Sequence, residues 1–194
     1  MDILAHGLWA GAAAQAARRV FPRAKEMRAL SVWRTALWGV IPDLLSFAPL
    51  FLWLAVQILS GHDVSEFIQR PDAAEPPIPD GLFIFHLTEA LYTVSHSLVV
   101  IAVVIGVIFL LFRSRLLLRR FPWEIGGLLF HVLVDIPTHS YEFYPTPLLW
   151  PLSSWKFDGF SWGNPWFMLA NYSVLTLIYL VFVLRTIRGR KRSA

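Results

Sequence analysis

Histidine and acidic side chains stand inside apolar stretches of this 194-residue sequence, where an ionisable group is costly unless it is paired. His131 and Asp135 are four residues apart, so they share one face of a helix. Glu89 and His96 are seven residues apart, about two helical turns on one stripe. Asp43 lies within a further apolar stretch. These positions are candidates for a site buried among helices.

The residue types favour a metal centre. The candidate ligands, drawn from four apolar segments, are His6, Asp43, His96, His131 and Asp135. Imidazole and carboxylate without thiolate suit Zn²⁺, Mn²⁺ or Fe²⁺, and zinc is the commonest hydrolytic choice. Such a set can hold one divalent cation with an open position, or two cations about 3.5–4 Å apart. The chain has no cysteine, which excludes disulfides, thiolate metal sites and cysteine nucleophiles.

Two carboxylates are candidates for proton transfer, Asp135 and Glu89, and Glu89 is also a candidate extra ligand. Simpler interpretations exist for several positions. His131 and Asp135 can form only a hydrogen bond that stabilises a helix, and Asp43 can cap a helix that begins after Pro42. The sequence leaves open whether His86, Glu89 and His139 belong to the site.

The composition is that of a membrane protein. Hydrophobic residues make up 56% of the chain and charged residues 15%, against about 25% in soluble domains. The mean hydropathy is +0.56 and the apolar residues form long blocks. This excludes a disordered chain or a fibre and argues against a soluble domain. We therefore interpret residues 1–194 as a single integral membrane domain.

The apolar blocks predict an all-α, polytopic membrane helix bundle of about five helices. Stretches 36–59, 82–112 and 166–187 are each long enough to span a bilayer, which takes about 20 residues. Stretches 1–17 and 123–136 are shorter or less apolar, so we expect the first and fourth helices to be short. Pro137 should end the fourth helix, and Pro42 should break the second.

The basic residues predict an orientation. Fifteen of the 17 Lys and Arg residues lie in three segments: 18–34, 113–120 and 185–192. Cytoplasmic segments are enriched in these residues, so the C-terminus should be cytoplasmic and the N-terminus on the outer side. The charge flanks apolar segments, so the pI near 9.8 does not indicate a nucleic-acid partner. The expected partners are the bilayer and a lipid-like substrate.

Two loops then face outward. Loop 60–81 is acidic and rich in proline, and we expect it to cover the mouth of the bundle. Loop 138–165 is aromatic, which is typical of a segment at the lipid headgroups. The aromatic outer loop either anchors the bundle at the interface or forms a lid over the site.

At these residues the chain resembles the membrane-bound metal-dependent hydrolase family, small bacterial inner-membrane proteins that include LexA-regulated members. The matching pieces, within residues 1–160, are Ala5-His6-Gly7, Ile41-Pro42-Asp43-Leu44, Ser95-His96-Ser97, His131 to Asp135, Thr138, Thr146-Pro147, Trp150-Pro151, Ser153 and Trp155. The chain departs from the family pattern at Leu45, where many members have Asp, and at 91–94, where many have Arg-Gly-x-Thr. These departures weaken the case for a second metal and suggest Glu89 and His139 as substitutes.

The resemblance implies metal-dependent hydrolysis in a bacterial inner membrane, with a distant similarity to zinc-dependent phospholipase C. It implies the ligand set His6, Asp43, His96, His131 and Asp135. We therefore expect an integral membrane hydrolase that acts on a lipid-linked ester or phosphoester from the outer face. The alternatives are an ion or proton transporter, and a metal- or haem-binding membrane scaffold.

Overall fold

The computed structural model describes residues 1–64, 83–112, 121–141 and 144–193. These residues form eight α-helices and no β-strand. The helices are α1 (Ile3–Val20), α2 (Lys25–Ala29), α3 (Val32–Trp38), α4 (Ile41–Leu59), α5 (Phe83–Ser95), α6 (Leu98–Leu111), α7 (Gly126–Thr138) and α8 (Pro165–Ser193). The predicted all-α class is confirmed.

Two or three of these helices are apolar enough to cross a membrane. α4 and the Pro165–Gly189 part of α8 each qualify alone. α5 and α6 qualify only as a pair, which is bent by 61° at a short break. The predicted bundle of about five membrane helices, with the first and fourth short, is therefore not confirmed. Most of the predicted cover over 60–81 lies outside the described residues.

The predicted second helix, 36–59, is in fact divided between α3 and α4. Gly39 and Val40 separate the two, and Pro42 lies in the first turn of α4, where its missing N–H is not needed. The break comes at Gly39 because a side chain there would collide with Ala10 of α1: an added Cβ would lie 2.5 Å from the Ala10 Cβ. α1 can therefore lie directly against the α3–α4 junction.

α7 meets the same junction from the other side. An added Cβ on Gly127 would lie 2.5 Å from the carbonyl oxygen of Thr35 and 2.9 Å from the Gly39 nitrogen. The two glycines thus let three backbones approach closely. As a result, the N-terminal part of α1, the first turn of α4 and the middle of α7 lie side by side.

The break between α5 and α6 falls at His96 and Ser97. Ser97 caps α6, because its hydroxyl accepts a hydrogen bond from the Val100 amide at 3.3 Å. The same hydroxyl donates to the carbonyl of Trp150, and the Leu98 amide donates to the carbonyl of Leu148 at 3.0 Å. The aromatic segment 144–164 thus fixes the break in place.

α8 is fastened to α1 by polar contacts within an otherwise apolar surface. The Tyr172 hydroxyl donates to Asp2, the N-cap of α1, at 2.8 Å. The Trp9 indole donates to Asn171 at 2.7 Å, and the Tyr179 hydroxyl donates to the carbonyl of Leu8 at 2.9 Å. Most other α8 side chains are exposed and apolar, as expected for a helix that faces lipid.

Candidate metal centre

Five of the predicted site residues meet at one buried point. We call them the His/Asp cluster: His6 from α1, Asp43 from α4, His96 from the α5–α6 break, and His131 and Asp135 from α7. Each of their side chains is at most 3% exposed. The five residues come from four separate parts of the chain, so local helix stability alone does not account for their meeting.

Asp135 is the centre of the cluster. Its Oδ1 lies 2.9 Å from the Nε2 of His6. Its Oδ2 faces the other way and lies 3.1 Å from the Nε2 of His131 and 3.4 Å from the Nε2 of His96. The carboxylate therefore contacts all three imidazoles through both of its oxygens.

Asp43 closes the other side. Its Oδ1 lies 3.4 Å from the Nε2 of His96 and 3.6 Å from that of His131, and its Oδ2 lies 3.8 Å from that of His6. One ligand atom from each of His6, Asp43, His131 and Asp135 lies within 4.8 Å of the others. A group of this kind could hold a metal ion.

The hydrogen bonds behind two of the histidines determine which nitrogen carries the proton. The Nδ1 of His131 lies 2.6 Å from the carbonyl oxygen of Gly39, and the Nδ1 of His96 lies 3.2 Å from the carbonyl oxygen of Tyr92. A carbonyl only accepts, so each Nδ1 is assigned as the N–H donor. In the neutral rings, each Nε2 therefore presents a lone pair to the cluster.

The two lone pairs face each other, because the Nε2 atoms of His96 and His131 are 3.0 Å apart. Two acceptors at this distance cannot form a hydrogen bond. Two nitrogens bound tetrahedrally to one Zn²⁺ at about 2.0–2.1 Å are themselves about 3.3–3.4 Å apart, close to the spacing found here. The spacing thus fits two imidazoles that share a cation.

The carboxylates support the same conclusion. Among the described residues, Asp43 Oδ2 and Asp135 Oδ2 are buried without a hydrogen-bond partner. A buried polar atom without a partner costs free energy, and a buried carboxylate costs more. A divalent cation would balance both negative charges and coordinate these oxygens. The imidazoles of His96 and His131 and the two carboxylates therefore fit a cation such as Zn²⁺, Mn²⁺ or Fe²⁺. His6 joins them only if its Nε2, which lies 3.1 Å from the carbonyl oxygen of Met1, releases that contact.

A chain of hydroxyl groups supports His96 from behind. The Ser95 hydroxyl lies 2.8 Å from the Nδ1 of His96 and 2.8 Å from the hydroxyl of Ser46. The Ser46 hydroxyl donates in turn to the carbonyl of Pro42, one residue before Asp43, at 2.8 Å. This chain links the ligand of α4 to the ligand at the α5–α6 break. Two scattered serines in apolar helices gave no sequence signal of this role.

His139 also reaches the cluster, which answers a question left open by the sequence. Its Nε2 lies 3.1 Å from Asp135 Oδ1, and its Nδ1 lies 2.9 Å from the carbonyl oxygen of Tyr144. The amine of Met1 lies 2.7 Å from the same Asp135 oxygen and 2.6 Å from the His139 Nε2. Sequence reasoning missed the Met1 contact, because a backbone amine has no residue-type signature.

Glu89 and His86 do not join the cluster; both side chains are exposed on α5. The buried face of α5 carries Phe85, Thr88 and Tyr92 instead. The predicted stripe of Glu89 and His96 is not formed, because the helix ends at Ser95 and His96 lies beyond it. The prediction of Glu89 as a general base or ligand therefore lacks the contact that it needs.

Segment 144–164 covers the end of α7 beside the cluster. Pro137 lies within the last turn of α7, which ends at Thr138, close to the predicted stop. The amides of Gly159, Phe160 and Trp162 donate to the carbonyls of residues 139, 137 and 138 at 2.7, 2.8 and 3.0 Å. These bonds satisfy the free carbonyls at the helix end. They also hold the aromatic segment against the C-terminal end of α7, one turn beyond Asp135.

Comparison with protein-family models, with curated proteins and with solved structures found no match to this chain.

Proposed function

We propose that this protein is an integral membrane metal-dependent hydrolase that acts on a lipid-linked ester or phosphoester from the outer face of the membrane. The observation that carries the proposal is the pair of imidazole lone pairs, on His96 and His131, that meet two buried carboxylates. A cluster that serves packing alone would pair each acceptor with a donor.

Zinc is the proposed cation, with His6, Asp43, His96, His131 and Asp135 as the residues that hold it. A divalent cation supplies Lewis-acid polarisation of the scissile group and activates water for attack at neutral pH. Asp135 is the proposed proton carrier, because its Oδ1 also lies 3.1 Å from His139 Nε2. His139 lies next to segment 144–164, so this pair offers a short route for a proton toward the covering segment.

The membrane setting supports a lipid-like substrate. In this proposal the five apolar segments form one bundle in a bacterial inner membrane, with a cytoplasmic C-terminus and an N-terminus on the outer side. The aromatic segment 144–164 lies against the C-terminal end of α7, and aromatic residues favour the headgroup region. Because the cluster is buried, substrate entry requires this segment to move. The resemblance to the membrane-bound metal-dependent hydrolase family agrees with this function.

The geometry argues against haem held between His96 and His131. Two axial histidines stand on opposite faces of the macrocycle, whereas these Nε2 atoms are 3.0 Å apart. An ion or proton transporter remains a distinct class, since buried acids and histidines also form ion pathways. A flux assay in liposomes separates that class from hydrolysis.

The first experiment measures bound metal by elemental analysis of the full chain in detergent. We expect about one Zn per chain in the wild type, and a loss of metal in His131→Ala and in Asp135→Asn. His86→Ala and Glu89→Gln are the matched controls, because they make related changes at exposed positions. The proposed metal centre would be overturned if wild-type protein from cells grown with zinc were monodisperse but contained no metal.

The second experiment tests hydrolysis with a panel of fluorogenic lipid esters and phosphoesters in nanodiscs. We expect turnover in the wild type and none in His131→Ala or Asp135→Asn, with full turnover in His86→Ala. Glu89→Gln should keep both metal and turnover. A Glu89→Gln variant that keeps metal but loses turnover would identify Glu89 as the general base. That result would contradict our inference, drawn from its exposed position, that Glu89 takes no part in the reaction. Metal binding without turnover on any substrate would overturn the hydrolase and leave a metal-binding protein.

A further inference from the structure

A long apolar groove runs along α1 from Ile3, near the His/Asp cluster, to Arg18 at the other end of the helix. Its volume is about 770 Å³, and its wall includes Ile3, Gly7 and Gly11 of α1, Ala36 of α3 and Tyr179 of α8. Polar groups contribute little to the lining. From Ile3 to Arg18 the groove follows about 22 Å of helix, more than the roughly 15 Å of hydrocarbon in one leaflet.

The groove ends at a basic cavity. Arg18 lines both the groove and a second cavity of about 510 Å³, which is otherwise lined by Lys25, Arg28 and Ala29. Three of its four lining residues are therefore cationic. Within the described ranges, none of these three cations forms an ion pair with an acidic side chain.

The wall between α1 and α8 is held rigidly at this end. The guanidinium of Arg19 lies 4.7 Å from the centre of the Phe182 ring and donates to the carbonyl of Phe182 at 3.4 Å. Arg19 is thus used to fix α8 to α1, while Arg18, one residue earlier, is exposed at the mouth of the groove. Because Arg19 is engaged with α8 and Arg18 is not, Arg18 places a positive charge at the end of the apolar groove.

We propose that this groove binds one anionic phospholipid, with its phosphate between Arg18, Lys25 and Arg28 and an acyl chain along Gly7 and Gly11. Charge complementarity selects this occupant, because the cations lie at one end only and the rest of the groove is apolar. An anionic amphiphile has the same polarity along its length. The basic end of the groove, which holds the phosphate, is at the far end of α1 from His6, so phosphate binding does not depend on the proposed hydrolysis.

The test titrates the delipidated full chain, in detergent, with phosphatidylglycerol and with phosphatidylcholine, and counts bound lipid by native mass spectrometry. A basic side chain at a membrane surface contributes about fivefold to the affinity for an anionic lipid. The three cations should therefore make phosphatidylglycerol bind about 100-fold tighter than phosphatidylcholine. Glycerol phosphate, which has the charge without the chains, should bind far more weakly than phosphatidylglycerol.

Arg18→Gln/Arg28→Gln should weaken phosphatidylglycerol binding by about 25-fold and leave phosphatidylcholine binding unchanged. Arg185→Gln/Arg188→Gln removes the same net charge from exposed positions of α8 that line neither cavity, and should change binding less than twofold. Both variants should keep the metal content of the wild type, which separates this site from the His/Asp cluster.

Equal binding of the two lipids by the wild type would overturn the proposal. An equal loss of phosphatidylglycerol binding in the two double variants would also overturn it, because that would indicate non-specific attraction. So would glycerol phosphate that binds as tightly as phosphatidylglycerol. If Arg18→Gln/Arg28→Gln fails to fold, the wild type at high salt decides, because screening should abolish the preference for phosphatidylglycerol. A preference that survives at high salt would contradict an electrostatic site.

Discussion

The His/Asp cluster predicts that the protein without metal is less stable than the protein with metal. One oxygen each of Asp43 and Asp135 lie within 4.8 Å of each other. Two unit charges at that separation repel by about 3.5 kcal/mol at an effective dielectric constant of about 20. A bound divalent cation offsets this repulsion. For a chain of this length, about 3.5 kcal/mol corresponds to a melting temperature lower by about 7–14 °C.

The assay compares protein purified from metal-depleted cells with the same protein after zinc is added, by thermal unfolding in detergent. The melting temperature should rise by about 7–14 °C on zinc addition. Asp43→Asn gives the sharper test, because it removes one of the two charges and keeps the side-chain shape. Zinc should shift the melting temperature of this variant less than that of the wild type, because one of the two carboxylates that the cation neutralises is gone.

Glu89→Gln is the control, since it makes the same change from carboxylate to amide at an exposed position. It should unfold within about 2 °C of the wild type and keep the full response to zinc. The reasoning is refuted if the metal-free wild type melts at the same temperature as the zinc-loaded protein, or if zinc shifts Asp43→Asn as much as the wild type.

Three further changes test the surroundings of the cluster. Ser95→Ala removes the hydroxyl group behind His96 and should lower metal affinity by about 10- to 100-fold at unchanged stoichiometry, measured by competition with a chelating dye. Gly127→Ala should lower the free energy of unfolding by about 1–3 kcal/mol in a denaturation assay, because its Cβ would meet the backbone of α3. Gly126→Ala is the control and should be neutral, because its Cβ would meet open space. Gly159→Ala should loosen segment 144–164, because its Cβ would lie 2.6 and 2.7 Å from two carbonyl oxygens. Limited proteolysis should then cut that segment faster than in the wild type. Gly189→Ala is the control, because its Cβ would meet open space.

The sequence predicts the participants in the cluster better than it predicts the path of the chain around them. His131 and Asp135 are a local pair on one helix, so their spacing alone places them together. His6 and Asp43 are distant in sequence, and only the rarity of ionisable groups in apolar stretches points to them. Both reasons point to residues that the structure brings together, because burial of such groups requires partners.

The breaks in the apolar stretches were harder to predict. Hydropathy is continuous across Gly39 and across His96, so it locates neither break, although Pro42 predicts one close to Gly39. The structure interrupts them for reasons of tertiary contact: Gly39 lies against Ala10, and Ser97 is held by segment 144–164. The break at His96 is also why Glu89 fails to join the site, since a stripe on one helix does not continue past its end.

The hydrogen bonds between segment 144–164 and the end of α7 have a kinetic consequence. In the proposed metal centre the side chains of the His/Asp cluster are almost fully buried, so a bound cation would leave only when part of the surrounding structure opens. The residence time of the ion is then set by the opening rate of the protein and not by the strength of an external chelator. Removal of metal should proceed at a rate that reaches a plateau as chelator concentration rises, and a cation acquired during synthesis should survive purification.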